Sequence, residues 1–213
     1  MTILFDLDGT LIDSTEAILE SFHNSFDVHN VAHPSDNAIK ALIGHPLGGM
    51  YKDLGIEKEL VEDFVKTYKA HYRTIHTQKT VLLDYAYEAI EQAQKIASLG
   101  VVTTKTGVYS RELLEHFGLM SAFDVLIGSE DVKNPKPHAE PIQKAMSIMK
   151  CNKDDTWMIG DTRLDIGSAQ NAGIKSVAVT TGYDKREHLL TLTDIIENNA
   201  LDAVKFIAKT KRK

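Results

Sequence analysis

The sequence predicts an α/β fold in which a doubly wound parallel sheet is interrupted, just after its first strand, by an all-helical segment. Two observations lead to this prediction. Short, continuously apolar runs alternate with helical patterns, and such runs are typical of parallel strands covered on both faces. In contrast, residues 15–79 show helical periodicity and no strand pattern.

Five apolar runs predict the strands, at residues 3–5, 96–103, 125–127, 156–159 and 177–179. Helical patterns accompany them at residues 88–95, 110–117, 141–149 and 165–172. Two of these patterns stop at a glycine, Gly118 and Gly173, a residue that commonly follows the end of a helix. Strand and helix alternate from about residue 84 onward, as they do in a doubly wound sheet.

The helical segment has its own apolar faces. Ile18, Phe22 and Phe26 recur at a spacing of four, and a second face is expected along Ile56, Leu60, Phe64, Tyr68, Tyr72 and Ile75. A glycine-rich stretch at residues 44–49 separates the helices. We therefore predict two domains: a core formed by residues 1–14 and 81–213, and a helical domain formed by residues 15–80.

Composition restricts the partners of the chain. Hydrophobic residues make up 43% of it, enough for a core, and the formal net charge is −6, which disfavours nucleic acid and anionic membranes as partners. No apolar run reaches the ~20 residues that span a bilayer. The single cysteine, Cys151, cannot form an internal disulfide, as is usual in a reducing compartment. We expect a cytoplasmic protein, and its oligomeric state cannot be read from the sequence.

Pairs of carboxylates follow two of the predicted strands. Asp6 and Asp8 come directly after the first strand, and Asp161 and Asp165 follow the fourth. Ligands of open parallel sheets bind outside the carboxyl ends of the strands, so these acids are placed for chemistry. Two simpler readings compete: Asp and Gly are turn residues, and Asp in a first helical turn stabilises the helix, which suits Asp165 in particular.

Four acids at one edge of a sheet would repel each other unless a cation lies among them. All are oxygen ligands, which Mg²⁺ prefers, and none of the nine histidines forms a pair typical of zinc sites. The second strand ends in Thr103, Thr104 and Lys105, and Lys136 lies between two prolines after the third strand. Although a loop lysine is usually just exposed, Lys136 beside four acids becomes a candidate for binding an anion.

These four segments, in this order along the chain, resemble the motifs of the haloacid dehalogenase superfamily of phosphohydrolases. Residues 5–14 look like its first motif, Thr103 like its second, Lys136 like its third, and residues 160–165 like its fourth. The size of the helical segment, the Thr-Thr-Lys sequence and Gly182-Tyr183 resemble the phosphoglycolate-phosphatase-like branch. Where that branch usually carries Pro-Gly before a core helix, this chain has the run Leu82-Leu83-Asp84-Tyr85-Ala86-Tyr87. The resemblance implies a Rossmann-like core with an inserted helical cap.

The resemblance also implies roles for single residues. Asp6 would attack phosphorus and form a phosphoaspartate, and Asp8 would act as general acid and base. Asp6, Asp161 and the backbone carbonyl of Asp8 would hold Mg²⁺, and Asp165 would support metal-bound waters or Lys136. Thr103, Thr104 and Lys136 would bind the phosphoryl oxygens.

The expected activity is hydrolysis of a small phosphorylated metabolite such as phosphoglycolate. A sugar phosphomutase, a nucleotidase and a pyrophosphatase stay open as alternatives, because the core motifs do not separate them. Carbon–halogen cleavage is disfavoured, since chloride leaves without a proton and gives Asp8 no task. Phosphonate cleavage is disfavoured because no candidate Schiff-base lysine stands out in the helical segment. A non-catalytic phosphate-binding module would be expected to have lost one of the four motif residues.

Overall fold

The predicted doubly wound sheet is present in the computed structural model, which describes residues 1–210. Six parallel strands lie in the order β5-β4-β1-β6-β7-β8. Their bounds are β1 Thr2–Phe5, β4 Ser98–Val102, β5 Val125–Ile127, β6 Thr156–Gly160, β7 Lys175–Val179 and β8 Ile196–Glu197. The β1 strand is central, with β4 and β6 as neighbours, so its carboxyl end has a strand on each side. Every predicted strand falls on an observed one, and the α/β fold class is confirmed.

Helices cover both faces of the sheet. They are α5 Ala86–Gln94, α6 Gly107–His116, α7 Glu140–Met149, α8 Arg163–Ala172, the short α9 Arg186–Leu189, and α10 Ala200–Thr210. Apolar residues of α5, α6 and α10 pack on one face, and those of α7 and α8 pack on the other. Helix α8 ends at Gly173, whose φ of 71° is the left-handed conformation that glycine adopts without strain.

The structure differs from the prediction at several boundaries. β4 begins at Ser98 rather than at residue 96, because Ile96 and Ala97 donate backbone hydrogen bonds to Ala93 and so continue the turn after α5. β8 and α10 had not been predicted, and β8 has only two residues, too few for a periodic signal. Among residues 1–210, no helix is long and apolar enough to cross a membrane.

The helical segment contains α1 Thr15–Val28, α2 Asp36–Lys40, α3 Leu47–Asp53 and α4 Val61–Ile75. The predicted face of α1 is buried, with Phe22 and Phe26 almost fully enclosed. The second face was placed too early, because α4 begins only at Val61 and Leu60 is 43% exposed. The aromatic rings of α1, α3 and α4 form a separate apolar cluster, distinct from the clusters against the sheet.

Two short strands flank the helical segment. β2 Ile12–Asp13 and β3 Val81–Leu82 pair antiparallel, so the chain leaves and re-enters the core at one place. This ladder coincides with the predicted boundaries after residue 14 and before residue 81. The division into two domains stays a prediction.

Candidate active site

The carboxyl ends of β1, β4 and β6 bring the predicted residues to one edge of the sheet. Asp6 follows β1 directly, Thr103 follows β4, and Asp161 follows β6. The backbone amide of Asp6 donates to the carbonyl of Ile159 (2.9 Å), which ties the first acidic loop to β6. Asp165 comes from the first turn of α8 and completes a buried cluster with Asp6 and Asp161, whose carboxylate oxygens lie within 4.8 Å of one another.

Lys136 is the cation at the centre of this cluster. Only 3% exposed, its Nζ lies 2.5 Å from Asp165 Oδ1 and 2.8 Å from Asp6 Oδ1, and donates to the carbonyl of Val102 (3.1 Å). Burial alone would lower the pKa of this ammonium, but the carboxylates of Asp165 and Asp6 outweigh it and raise the pKa. Lys136 is therefore charged, and the predicted exposed-loop alternative is wrong.

Asp165 has two tasks. Its Oδ2 accepts hydrogen bonds from the backbone amide (3.0 Å) and the hydroxyl (2.6 Å) of Thr162, the residue that caps α8. Its Oδ1 pairs with Lys136. Asp165 thus contacts both the first turn of α8 and Lys136, and its functional role stays a prediction. A Cβ on Gly160 would lie 2.3 Å from Asp165 Cβ, so only glycine fits at that point of β6.

Asp161 is fully buried and fixed by hydrogen bonds to both of its oxygens. Thr10 Oγ1 donates to Oδ1 (3.0 Å), and the backbone amide of Tyr183 donates to Oδ2 (2.9 Å). Burial, with repulsion from Asp165 and Asp6, raises the pKa of Asp161 well above its ordinary value. The sequence analysis gave Thr10 and Tyr183 no role. The signal that could have indicated one is their position, because both lie in stretches that carry the family resemblance.

The pKa of Asp6 is raised from 3.8 to about 7. The largest cause is burial, followed by repulsion from Asp165, and Lys136 offsets part of it. Although Asp6 Oδ1 is close to Lys136 Nζ, the angle is not that of a hydrogen bond, and among residues 1–210 this buried oxygen has no donor with suitable geometry. The buried carboxylate of Asp6 therefore has one oxygen that no hydrogen bond from the described residues stabilises.

The donor set fits a divalent cation. Three buried carboxylates face one buried ammonium, so two negative charges remain when all are ionised. The ligands are oxygen atoms, as Mg²⁺ requires, and burial together with repulsion from Asp165 raises the pKa values of Asp6 and Asp161, which a bound cation would oppose. The side chain of Asp8 lies outside this cluster, so only three of the four acids expected around the cation meet. The resemblance implies a metal contact of Asp8 through its backbone carbonyl alone.

Asp8 points to the other side of the site. Its side chain is 12% exposed, Ser14 Oγ donates to Oδ1, and Lys105 Nζ lies 3.2 Å from Oδ2. Lys105 also donates to the hydroxyl of Tyr72 (2.8 Å), on α4. The sequence placed Lys105 at the sheet edge but did not predict these contacts, because Asp8, Lys105 and Tyr72 are far apart along the chain.

The two threonines after β4 differ. Thr103 is 5% exposed, and its Oγ1 accepts a hydrogen bond from the amide of Lys105 (3.2 Å). Thr104 Oγ1 donates instead to the carbonyl of Gly44 (2.8 Å), in the loop before α3. Its hydroxyl is thus used in a contact with the helical segment, and phosphate binding by Thr104 stays a prediction without a contact that supports it.

Comparison with known proteins agrees with these motifs. The family model described as haloacid dehalogenase-like hydrolase matches residues 3–179. A protein named pyrophosphatase PpaX from Halalkalibacterium halodurans is 38% identical, over 85% of this chain and 83% of its own length.

Solved structures are similar over nearly the whole chain. A haloacid dehalogenase-like hydrolase from Streptococcus pneumoniae has a TM-score of 0.88 at 26% identity, covering 96% of this chain and 97% of its own. A structure described as a predicted phosphatase from Clostridium acetobutylicum also has a TM-score of 0.88, at 28% identity, with 98% of each chain covered. The resemblance found in the sequence is confirmed, and the chain belongs to the haloacid dehalogenase-like hydrolase family.

Proposed function

We propose that this enzyme is a Mg²⁺-dependent phosphomonoester hydrolase that acts on a small phosphorylated metabolite through a phosphoaspartate at Asp6, in the cytoplasm. The observation that carries the proposal is the position of Asp6. Its carboxylate follows the central strand, beside Lys136 and Asp161, and Asp8 lies two residues further on. The proposed nucleophile Asp6, the cation Lys136 and the proposed proton carrier Asp8 thus lie at one edge of the sheet.

The chemistry takes two steps. A carboxylate oxygen of Asp6 attacks phosphorus, the bond from phosphorus to the ester oxygen breaks, and Asp8 gives that oxygen a proton. Water then attacks phosphorus of the acyl phosphate, and Asp8 takes the proton of this water. Inorganic phosphate leaves, and Asp6 returns as a carboxylate. Lys136 and Thr103 are proposed to bind the phosphoryl oxygens, over which charge spreads in the transition state.

Asp6, Asp161 and the backbone carbonyl of Asp8 are the proposed Mg²⁺ ligands, with Asp165 as the residue that positions Lys136. The ion would supply positive charge to the phosphoryl oxygens. The chain itself contributes the burial that keeps water out and the hydrogen bonds from Thr10 and Tyr183 that hold Asp161 in place.

Residues 15–80 are proposed to act as a cap over this site. The segment joins the core through the β2–β3 ladder, and polar contacts between the two pair Thr104 with Gly44, Lys105 with Tyr72, Tyr109 with Lys69, Tyr183 with Thr15, and Glu112 with His76. A segment whose chain enters and leaves at one short ladder can open for substrate and close during transfer. The proposed hinges lie near residue 14 and at residues 79–83.

Pyrophosphate hydrolysis is a second candidate. The specific observation in its favour is the name of the relative from Halalkalibacterium halodurans. The two steps would be the same, with inorganic phosphate as the leaving group instead of an alcohol.

A burst experiment with p-nitrophenyl phosphate tests the phosphoaspartate. Nitrophenolate leaves without a proton, so Asp8→Asn should still release about one equivalent per enzyme in the first turnover and then slow at least 100-fold, as general acid–base catalysis contributes on that order. Asp6→Asn should give no burst. Asp53→Asn, at an exposed acid at the end of α3, is the control and should match the parent enzyme.

Two results would contradict the proposal. One is steady turnover by Asp6→Asn above the rate of the metal-free control. The other is full activity of the parent enzyme in EDTA.

A further inference from the structure

We propose that the leaving group of the substrate is an apolar organic group, alkyl or aryl, held in the cavity between the helical segment and the core. This inference rests on the phosphomonoester hydrolysis proposed above, and it separates an organic phosphate from pyrophosphate as the substrate class.

The cavity begins on the leaving-group side of the site. It has a volume of about 530 Å³, and Asp8, Thr104 and Lys105 form its floor, while Asp6 and Lys136 are not part of its wall. Asp8 is the residue proposed to protonate the leaving oxygen. A group attached to that oxygen would therefore extend from Asp8 into this cavity. Its volume lies within the roughly 300–1,000 Å³ of cavities that enclose organic ligands.

The walls above Asp8 are mostly apolar. They come from all the longer helices of the segment, with Ile18, Phe22, Leu47, Met50, Val65 and Tyr68 facing the space. Apolar walls stabilise a bound group in proportion to the apolar area that leaves water. A phosphate leaving group would gain nothing from them, and it would lose hydration without gaining hydrogen bonds there.

The lining of the cavity also includes four lysines and Glu62. Lys52, Lys58 and Glu62 are exposed, at the outer rim. Lys105, on the floor, is already engaged: its ammonium lies 3.2 Å from Asp8 Oδ2, 2.8 Å from Tyr72 Oη and 4.6 Å from the centre of the Tyr72 ring. Lys69, half-buried on α4, is the remaining lysine of the lining.

A homologous series of substrates measures the contribution of these walls. We expect kcat/KM to rise about fourfold per methylene from ethyl to butyl to hexyl phosphate, the factor that corresponds to burial of one methylene. Over the four methylenes of the series this amounts to roughly 250-fold, and hexyl phosphate should exceed pyrophosphate in kcat/KM.

Val65→Lys tests the wall itself. Val65 is half-buried in α4, so a lysine there can be accommodated by the helix while its ammonium enters the cavity. The variant should lose at least tenfold in kcat/KM for hexyl phosphate, because the hexyl chain would remove water from the new ammonium at a cost in free energy. Ethyl phosphate should stay within about twofold of the parent value, because its short chain does not reach residue 65. Val28→Lys, the same change at an exposed position at the end of α1 outside this cavity, should leave the series unchanged.

The outcomes separate this inference from the proposed function. A rising series that Val65→Lys flattens supports both. Hydrolysis of phosphate esters with a flat series, or with pyrophosphate preferred over hexyl phosphate, overturns the apolar leaving group and leaves the phosphatase proposal standing. Absence of Asp6-dependent hydrolysis of every ester, including p-nitrophenyl phosphate, overturns both.

Discussion

Replacing Asp6 by asparagine should abolish activity and at the same time stabilise the metal-free protein at neutral to alkaline pH. Asparagine has the shape of a protonated aspartate and carries no charge. Because the pKa of Asp6 rises from 3.8 to about 7 on folding, the folded state holds this proton more tightly than the unfolded state. Ionising Asp6 therefore costs the folded parent protein free energy, whereas the variant has no carboxyl to ionise and no such cost.

The sign and the pH window follow from linkage. With the folded pKa above the unfolded value, the folded state binds more protons between about pH 4 and pH 7, so the free energy of unfolding falls as the pH rises through that window. Above about pH 7 Asp6 is ionised in both states, and its contribution to the free energy of unfolding no longer changes with pH. A shift of this size corresponds to roughly 4 kcal/mol, an order-of-magnitude figure for a buried carboxyl beside other acids.

Urea unfolding in EDTA measures the effect. At pH 8 the free energy of unfolding of Asp6→Asn should exceed that of the parent by several kcal/mol, roughly 2–4, and at pH 4.5 the two should converge. Added Mg²⁺ should stabilise the parent more than the variant, because a ligand that binds only the folded state stabilises it by mass action.

Asp165→Asn is the matched comparison. The same isosteric change removes the carboxylate that pairs with Lys136 and accepts from Thr162, so this variant should lose about 3 kcal/mol instead of gaining stability. If Asp6→Asn were as unstable as Asp165→Asn at pH 8 without metal, the ionised carboxylate of Asp6 would not destabilise the folded protein, and our explanation would be wrong.

Two further predictions concern the backbone. Gly182→Ala should lower stability by about 1–3 kcal/mol and abolish phosphate release, because a Cβ there would lie 1.9 Å from Asp161 Oδ2. Gly49→Ala is the control: it lies in α3 with nothing within 4 Å of its Cβ, so it should be neutral or stabilising by under about 1 kcal/mol. Urea unfolding and a phosphate assay measure both variants. Tyr85→Gly should leave the melting temperature unchanged or raise it, because Tyr85 is 55% exposed and has a φ of 64°, whereas Tyr87→Gly, in the first turn of α5, should destabilise by up to about 1 kcal/mol; equal losses at both positions would contradict this.

The Tyr85 position shows what the family pattern could and could not indicate. The branch that the chain resembles has Pro-Gly there, and a glycine tolerates positive φ. This chain keeps the left-handed backbone with a tyrosine instead. The turn is therefore imposed by the core on both of its sides, since local preference alone would favour another conformation.

The sequence by itself determined five of the six strands of the main sheet, the helix ends at Gly118 and Gly173, and the acids that follow β1 and β6. These signals are local: a buried parallel strand is a continuous apolar run, and the acids after it fall at the same edge whatever the strand order. For the same reason the sequence predicted that Asp6, Asp8, Asp161 and Asp165 meet at one edge, although the side chain of Asp8 lies outside the cluster that the other three form.

Only the tertiary structure decided which charges pair. The chain order does not reveal that Lys136 lies between Asp6 and Asp165, that Lys105 connects Asp8 to Tyr72, or that apolar side chains of α1, α3 and α4 surround a cavity above Asp8. Such contacts join residues distant in sequence, and their distances depend on how helices pack, which is set by the fit of whole side-chain surfaces.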